Sequence, residues 1–202
     1  MPHRTIIGLT GNIATGKSAV MRMAAAQGAF TLDADRVVHG LLEGDEAIQQ
    51  AVIAEFGPGV GRTDGRIDRP ALGEIVFNDP AALARLEAIL HPAVRLEIAR
   101  SVNETTADVV MIEAIKLLEG PMADVCDQIW VTTCPAPVQM ERLRVCRGLD
   151  EQEARARIDA QPPQAEKIAR ADVVILTDGA MRETEAQFDK AWAAVQSLVS
   201  AD

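Results

Sequence analysis

Gly11-Asn12-Ile13-Ala14-Thr15-Gly16-Lys17-Ser18 fits the pattern G-x-x-x-x-G-K-[ST], a loop that holds the phosphates of a nucleoside triphosphate. The chemistry is electrostatic. Backbone N–H groups of the loop, and of a helix starting at its end, point at the phosphates, and the helix macrodipole adds positive character there. Lys17 is expected to reach the β- and γ-phosphates, and Ser18 to place its hydroxyl on Mg2+. Gly11 through Ser18, with Ala19 after it, form the candidate ATP-binding set.

Two acids follow in Leu32-Asp33-Ala34-Asp35. In doubly wound sheets ligands bind beyond the carboxyl ends of the strands, so carboxylates there could orient an acceptor hydroxyl and take its proton. Asp33 ends the apolar run and is the candidate general base. Asp35 reads equally as a helix N-cap, because Arg36-Val37-Val38 follows it. A third acid ends the run Met111-Ile112-Glu113. Glu113 either holds Mg2+ through water or pairs with Lys116 or an arginine at a strand tip. The guanine-reading N-K-x-D of GTPases is missing.

The net charge of the 202 residues is −10, so cations for a phosphate ligand must be concentrated locally. Five of the 20 basic residues, Arg142, Arg144, Arg147, Arg155 and Arg157, fall between 142 and 157. Asp150 with Glu153 forms a D-x-x-E helix start. Arg142 and Arg144 precede that helix and read as a mobile arginine lid. Arg155 and Arg157 either join the lid or pair with Glu151 and Glu153 on a solvated face.

These residues need a scaffold, and the apolar runs supply one. Residues 5–10, 29–32, 108–114, 128–132 and 172–176 read as strands alternating with helices, the pattern of a parallel α/β sheet with helices on both faces. The β-branched runs at 108–112 and 172–176 suit strands covered on both faces. A helix of strong formers follows the loop at 19–26. The last helix spans about 180–199, with Met181, Phe188, Trp192, Val195 and Val199 as a packing stripe. Residues 37–105 exceed one crossover and read as a helical insertion that receives a second substrate. Inside it, Asp79-Pro80 opens a long helix.

Aromatic residues make up only 3% of the chain, so the core is expected to be Ala, Val, Leu and Ile. No apolar run approaches the roughly 20 residues that span a bilayer, and the N-terminus reads as a strand rather than a secretion signal. Cys126, Cys134 and Cys146 have wide spacings and read as reduced thiols of a cytoplasmic protein. His3, His39 and His91 form no metal cluster with them. The acidic charge and the lack of aromatic–basic interleaving argue against a nucleic-acid partner.

Taken in order, the motifs resemble those of the dephospho-coenzyme A kinase family along nearly the whole chain. They are Gly8-Leu9-Thr10-Gly11 with Gly16-Lys17-Ser18, Asp33-Ala34-Asp35, Asp64-Gly65-Arg66-Ile67-Asp68-Arg69 and Val76-Phe77-Asn78-Asp79-Pro80. Then come Leu86-Glu87-Ala88-Ile89-Leu90-His91-Pro92, Leu117-Leu118-Glu119, Gln139-Met140-Glu141-Arg142-Leu143, Gly148-Leu149, Ala154 to Ile158, Gln161 and Ala171 to Ile175. The phosphate loop is shared by many families; the D-A-D and L-H-P segments together are more diagnostic.

The resemblance implies a P-loop NTPase three-layer α/β fold with a sheet of about five parallel strands. It implies a nucleotide-binding core over 1–36, 106–141 and 169–202, a helical acceptor domain over 37–105 and a small helical lid over 142–168. The implied reaction is phosphorylation of the ribose 3′-hydroxyl of dephospho-coenzyme A by ATP with Mg2+, in a cytoplasmic monomer or weak homo-oligomer. Asp33, Lys17 and Arg142 would be catalytic. Arg142, Arg147 and Thr177 would meet the nucleotide. Asp33, Asp35, His91, Pro92, Arg95 and Leu117 would meet the acceptor. Read without the family, His91 is a helix-terminal structural residue whose following proline bends the helix.

The chain departs from the family pattern at several places. Asn12 and Ala14 replace glycines; Asn12 is expected to take any positive φ and Ala14 an ordinary conformation. His39 stands where the family often has arginine. Ile115-Lys116 replaces a proline segment. In the lid, Cys146-Arg147 places its cation one position late. Leu176-Thr177-Asp178-Gly179 resembles an adenine-facing loop. Two other readings remain. One is another P-loop kinase acting on a nucleoside, nucleotide or shikimate-like acceptor. The other is a nucleotide-dependent switch or assembly ATPase, against which the D-A-D pair argues.

Overall fold

The five apolar runs form five strands: β1 (Thr5–Thr10), β2 (Phe30–Asp33), β3 (Val109–Glu113), β4 (Gln128–Thr133) and β5 (Val173–Leu176). In the computed structural model, which describes residues 4–120 and 122–199, they make one sheet in the order β2-β3-β1-β4-β5. His3 lies outside the described residues. β1 is central and pairs in parallel with β3 and β4, and β4 pairs in parallel with β5. The register sets Glu113 opposite Leu9, so β3 delivers a carboxylate beside the start of the phosphate loop.

Nine α-helices are described: α1 (Lys17–Ala26), α2 (Ala34–Gly44), α3 (Glu46–Phe56), α4 (Arg69–Val76), α5 (Pro80–Glu104), α6 (Ala136–Arg147), α7 (Glu151–Asp159), α8 (Gln164–Ile168) and α9 (Met181–Val199). One compact unit carries the chain up to Leu32 and from Thr106 onward; Asp33–Thr105 form a second.

In the first unit, strand alternation sends Ile7, Leu9, Met111, Trp130 and Ile175 to one side, where Val20 and Ala24 of α1 and Phe188, Trp192 and Val195 of α9 cover them. Three of the six aromatic residues, Trp130, Phe188 and Trp192, pack here, which corrects the expectation of a purely aliphatic core. Trp130 meets Phe188 edge-on at 5.9 Å and Trp192 at 6.4 Å, and Phe188 stacks on Trp192 at 5.4 Å. Each such pair adds about 0.5–1.5 kcal/mol beyond the buried area. Met181 is not part of this packing: it opens α9 and is 53% exposed. On the opposite side a 3-10 turn, Leu117–Glu119, closes on β1. A Cβ on Gly8 would stand 2.6 Å from Leu117 Cδ2 and 2.8 Å from Cys126 Sγ, so only glycine admits the turn. Lys167 of α8 is buried there and donates to the Ile115 carbonyl at 2.7 Å; its burial pushes the ammonium below its ordinary pKa. β5 departs from the expected two-sided burial. It is an edge strand, with Val174 37% and Leu176 52% exposed.

The second unit has its own core of Leu42, Val52, Val60, Ile67, Leu72, Val76, Ala82, Leu86 and Leu90. Its helices start on aspartates. Asp45 accepts from Ile48 N–H, Asp68 from Ala71 N–H and Asp79 from Ala81 N–H, each cap contributing about 1 kcal/mol. In α5 the buried residues Ala82, Leu86, Leu90, Val94 and Ile98 recur every fourth position, one stripe down 25 residues. Pro92 lies inside this helix and is exposed. Among the described residues no helix is long and apolar enough to cross a membrane.

Candidate active site

The phosphate loop joins β1 to α1, and three of its residues have positive φ: Gly11 (+147°), Ala14 (+58°) and Gly16 (+94°). A Cβ on Gly11 would fall 2.5 Å from the Thr132 carbonyl oxygen, so β4 presses on the loop. The assignment of Asn12 and Ala14 is the reverse of the one expected. Ala14 is the one non-glycine residue at positive φ among the described residues, and Asn12 has none. The cause is in the partners. Asn12 is tied down through its N–H to Gln164 Oε1 (2.9 Å) and through Nδ2 to the Pro162 carbonyl (3.0 Å). The turn therefore falls on Ala14, whose carbonyl accepts from Arg142 Nη1 at 3.0 Å. Thr15 braces the interior, its hydroxyl bonding the Asn12 carbonyl (2.8 Å) and Thr132 Oγ1 (2.9 Å).

Lys17 is buried, and its Nζ donates to the carbonyls of Gly11 (2.9 Å) and Asn12 (3.3 Å). Glu113 Oε1 lies 3.9 Å from the same Nζ. Glu113 thus meets Lys17 of the loop, and Lys116 lies 4.0 Å from Glu119. The β1–β3 register is the reason, since it ends β3 at the loop. Ser18 is exposed in the first turn of α1. Among the described residues the N–H groups of Ala14, Gly16 and Ser18 have no hydrogen-bond acceptor. Donors of this kind at a helix N-terminus suit phosphate. Ile13 and Ala19 are half-buried alongside.

Arg142 was expected on a mobile lid; it sits within α6, which runs on to Arg147 and ends at left-handed Gly148. Its guanidinium is fixed on the loop. Nη1 bonds the Ala14 carbonyl and Thr177 Oγ1 (3.0 Å each), and Nη2 bonds the Thr177 carbonyl. Thr177 is buried, and its hydroxyl also donates toward the Thr15 carbonyl at 2.8 Å. Its hydroxyl is a brace under the loop rather than a surface offered to a ligand. Arg144 and Arg147 are exposed in the last turn of α6. Asp150 and Glu153 form the expected capping box on α7. Arg155 and Arg157 are exposed, and neither pairs with Glu151 or Glu153, because Glu153 is engaged by the Asp150 N–H at 3.1 Å. Leu117, expected at the acceptor, is 1% exposed against Gly8. It is a core residue, because the turn that carries it must seal β1.

Gln161, named only as part of the family pattern, and Gln164 have no role expected from the sequence, and both hold the loop. Gln161 Oε1 accepts from the Ile13 N–H at 2.6 Å, and Gln164 bridges the Asn12 N–H and, at 2.9 Å, the Thr132 carbonyl. A glutamine has no local signature for such a task. Cys134 is buried at the end of β4, which pushes its thiol pKa up, and its Sγ lies 3.8 Å from the Ala14 carbonyl. Cys126 is pushed up to about 12 by burial and then by Asp127. Cys146 is exposed. Among the described residues no group of three His, Cys, Asp or Glu could hold a metal.

In the second unit Asp33 is the N-cap of α2, and Asp35 is not. Asp33 Oδ1 accepts from the N–H groups of Asp35 (3.0 Å) and Arg36 (3.2 Å). The residue that leaves the strand has the extended backbone a cap needs; Asp35, within the first turn of α2, is exposed. Asp33 Oδ2 is turned to Arg36 Nε at 3.6 Å. His39 accepts at Nε2 from Arg69 Nη2. A guanidinium only donates, so the Arg69 guanidinium lies directly against the His39 ring. His91, Pro92 and Arg95 are exposed together on α5. His91 is mid-helix, not helix-terminal, because α5 continues to Glu104.

Residues 5–183 match the family model described as CoaE, dephospho-CoA kinase. A dephospho-CoA kinase of Symbiobacterium thermophilum is 44% identical over 192 residues, covering 94% of this chain and 80% of that protein. The crystal structure of TT1252 from Thermus thermophilus is similar with a TM-score of 0.82 and 31% identity, covering 95% of this chain and 98% of the other. The dephospho-CoA kinase structure from Campylobacter jejuni shares the fold, with a TM-score of 0.62 and 23% identity over 96% of this chain and 98% of that one. With its phosphate loop, five-stranded parallel sheet and near full-length match, the chain belongs to the dephospho-CoA kinase family, a family of P-loop kinases.

Proposed function

We propose that this protein transfers the γ-phosphoryl group of ATP to the 3′-hydroxyl of the ribose of dephospho-coenzyme A, giving coenzyme A. The observation that carries this reading is the phosphate cradle. Ala14, Gly16 and Ser18 present acceptor-free N–H groups, and Lys17 lies across the loop between two carbonyls and Glu113.

Phosphoryl transfer depends on positioning and charge stabilisation more than on covalent chemistry. The loop amides and Lys17 bind the triphosphate. Ser18, exposed beside the cradle, would hold Mg2+ through its hydroxyl, and the ion would supply charge neutralisation for the phosphates. Glu113 holds Lys17 in register. Asp33 orients the acceptor hydroxyl and takes its proton at Oδ2, because Oδ1 is engaged by α2. Arg142 fixes the left-handed turn of the loop and supplies positive charge beneath it, and Arg147 adds charge at the rim. Asp35, His91, Pro92 and Arg95 bind the acceptor, with residues 37–105 as the acceptor domain and 142–168 as the lid. The loop at Thr177 borders the adenine. The net charge of −10 argues against a nucleic-acid partner, and the protein is read as a cytoplasmic monomer or weak homo-oligomer.

The test is incubation with dephospho-coenzyme A, ATP and Mg2+, with mass detection of one added phosphate and localisation of it on the ribose. The product is expected to be coenzyme A. Intact ATP binding without any phosphorylated product would overturn the assignment of the acceptor.

A further inference from the structure

We infer that Gln161 is a positioning residue for nucleotide use, a latch between the phosphate loop and the arginine-bearing helix α7. This rests on the kinase reading above and adds a residue to it. The Asn12 and Ile13 amides of the loop are engaged away from the cradle. The Asn12 N–H is taken by Gln164 Oε1 at 2.9 Å and the Ile13 N–H by Gln161 Oε1 at 2.6 Å. The same segment takes the Asn12 side chain, whose Nδ2 donates to the Pro162 carbonyl. Three hydrogen bonds therefore join residues 12–13 to residues 161–164.

The two glutamines differ in how they are held. Gln164 opens α8 and is fixed at both ends of its amide, since its Nε2 also donates to the Thr132 carbonyl at 2.9 Å. It ties the loop to β4, within the sheet. Gln161 has one such bond, and its Nε2 has no acceptor among the described residues. It lies immediately after Ala160, the C-cap of α7, and α7 carries the exposed Arg155 and Arg157. A shift of α7 is thus felt at the Ile13 amide, one residue before the strained turn at Ala14. Phosphate bound on the loop fixes Ile13, Gln161 and the end of α7 together, which brings the α7 arginines to one position.

The contrast between the glutamines supplies the test. Gln164→Ala removes a brace of the sheet and lowers the melting temperature. Gln161→Ala leaves the melting temperature near that of the parent, but raises the KM for ATP and the ratio of ATP hydrolysis to transfer. A single neutral hydrogen bond supports an effect of about three- to tenfold. Gln161→Glu keeps an oxygen within reach of the Ile13 N–H and restores the ratio, while its charge keeps the KM high. Gln161→Asn is too short to reach and behaves as Gln161→Ala. ATP-analogue affinity by calorimetry is measured on every variant, so the latch is read even without an acceptor. Parental KM, hydrolysis ratio and analogue affinity in Gln161→Ala would overturn the latch. So would kinetic losses that track a fall in melting temperature as they do in Gln164→Ala. A parent chain that binds the analogue yet phosphorylates no dephospho-coenzyme A would overturn the acceptor reading alone.

Discussion

Ala14→Gly is expected to stabilise the protein, although it removes a methyl group from an otherwise well-braced loop. Ala14 is held at φ +58°, where an L-residue with a Cβ costs about 1–2 kcal/mol. Glycine removes that cost. Against this, glycine gives the unfolded chain more freedom, worth about 0.4–1 kcal/mol. The net gain is about 0.5–1 kcal/mol, which for a chain of this length is about 1–4 °C in melting temperature. The partner contacts do not change, because the Ala14 carbonyl is what Arg142 and Cys134 bind. Ala14→Val is the opposing control: a β-branched residue at positive φ is a true outlier, and its melting temperature falls below that of the parent. The assay is thermal unfolding of the three proteins under one buffer and scan rate. ATP KM is measured alongside, and the glycine variant is expected to show a modest rise, since its turn is no longer fixed in the binding geometry. A melting temperature for Ala14→Gly at or below the parent's would refute the reasoning. It would mean that Ala14 is not left-handed in solution, or that the turn carries no strain.

Three further outcomes are expected. Asp33→Asn keeps the cap of α2, because Asn and Asp cap about equally well, so the fold and ATP affinity hold while single-turnover transfer falls by about 10²-fold or more; near-parental turnover would rule out Asp33 as the base. Arg142→Ala removes charge-assisted bonds to Ala14 and Thr177, each worth about 1.5–3 kcal/mol. Melting temperature and ATP affinity therefore fall together, whereas an arginine on a free lid would change kinetics at constant stability. Cys126 holds its proton up to about pH 12 when folded, against about 9 in an ordinary thiol. Between those values the unfolded state binds fewer protons, so stability is complete below about pH 9 and falls as pH rises toward about 12. Denaturant midpoints across that range are expected to fall less steeply in Cys126→Ala, and equal slopes would count against the buried thiol.

The sheet was legible because its strands are short, apolar and punctuated: the runs at 5–10 and 128–132 match β1 and β4 to within a residue. Helix starts were legible where a single aspartate suffices, as at Asp79 and Asp150. The residues misplaced are those whose surroundings come from distant parts of the chain. Leu117 belongs to the apolar seal over Gly8, and Arg142, expected on a mobile lid, is laid by α6 against Thr177. Val174 and Leu176 share the composition of the central strands, and only the strand order makes β5 an edge.

By itself the sequence determined the phosphate loop, the family and the strand–helix alternation, since each depends on residue types at fixed local spacing. Only the tertiary structure decided which loop residue bears the positive φ, which lysine Glu113 meets and what Gln161 and Gln164 hold. These are contacts between residues up to 152 positions apart, fixed by strand register and by which donors remain once the backbone has satisfied its own. Local spacing contains neither.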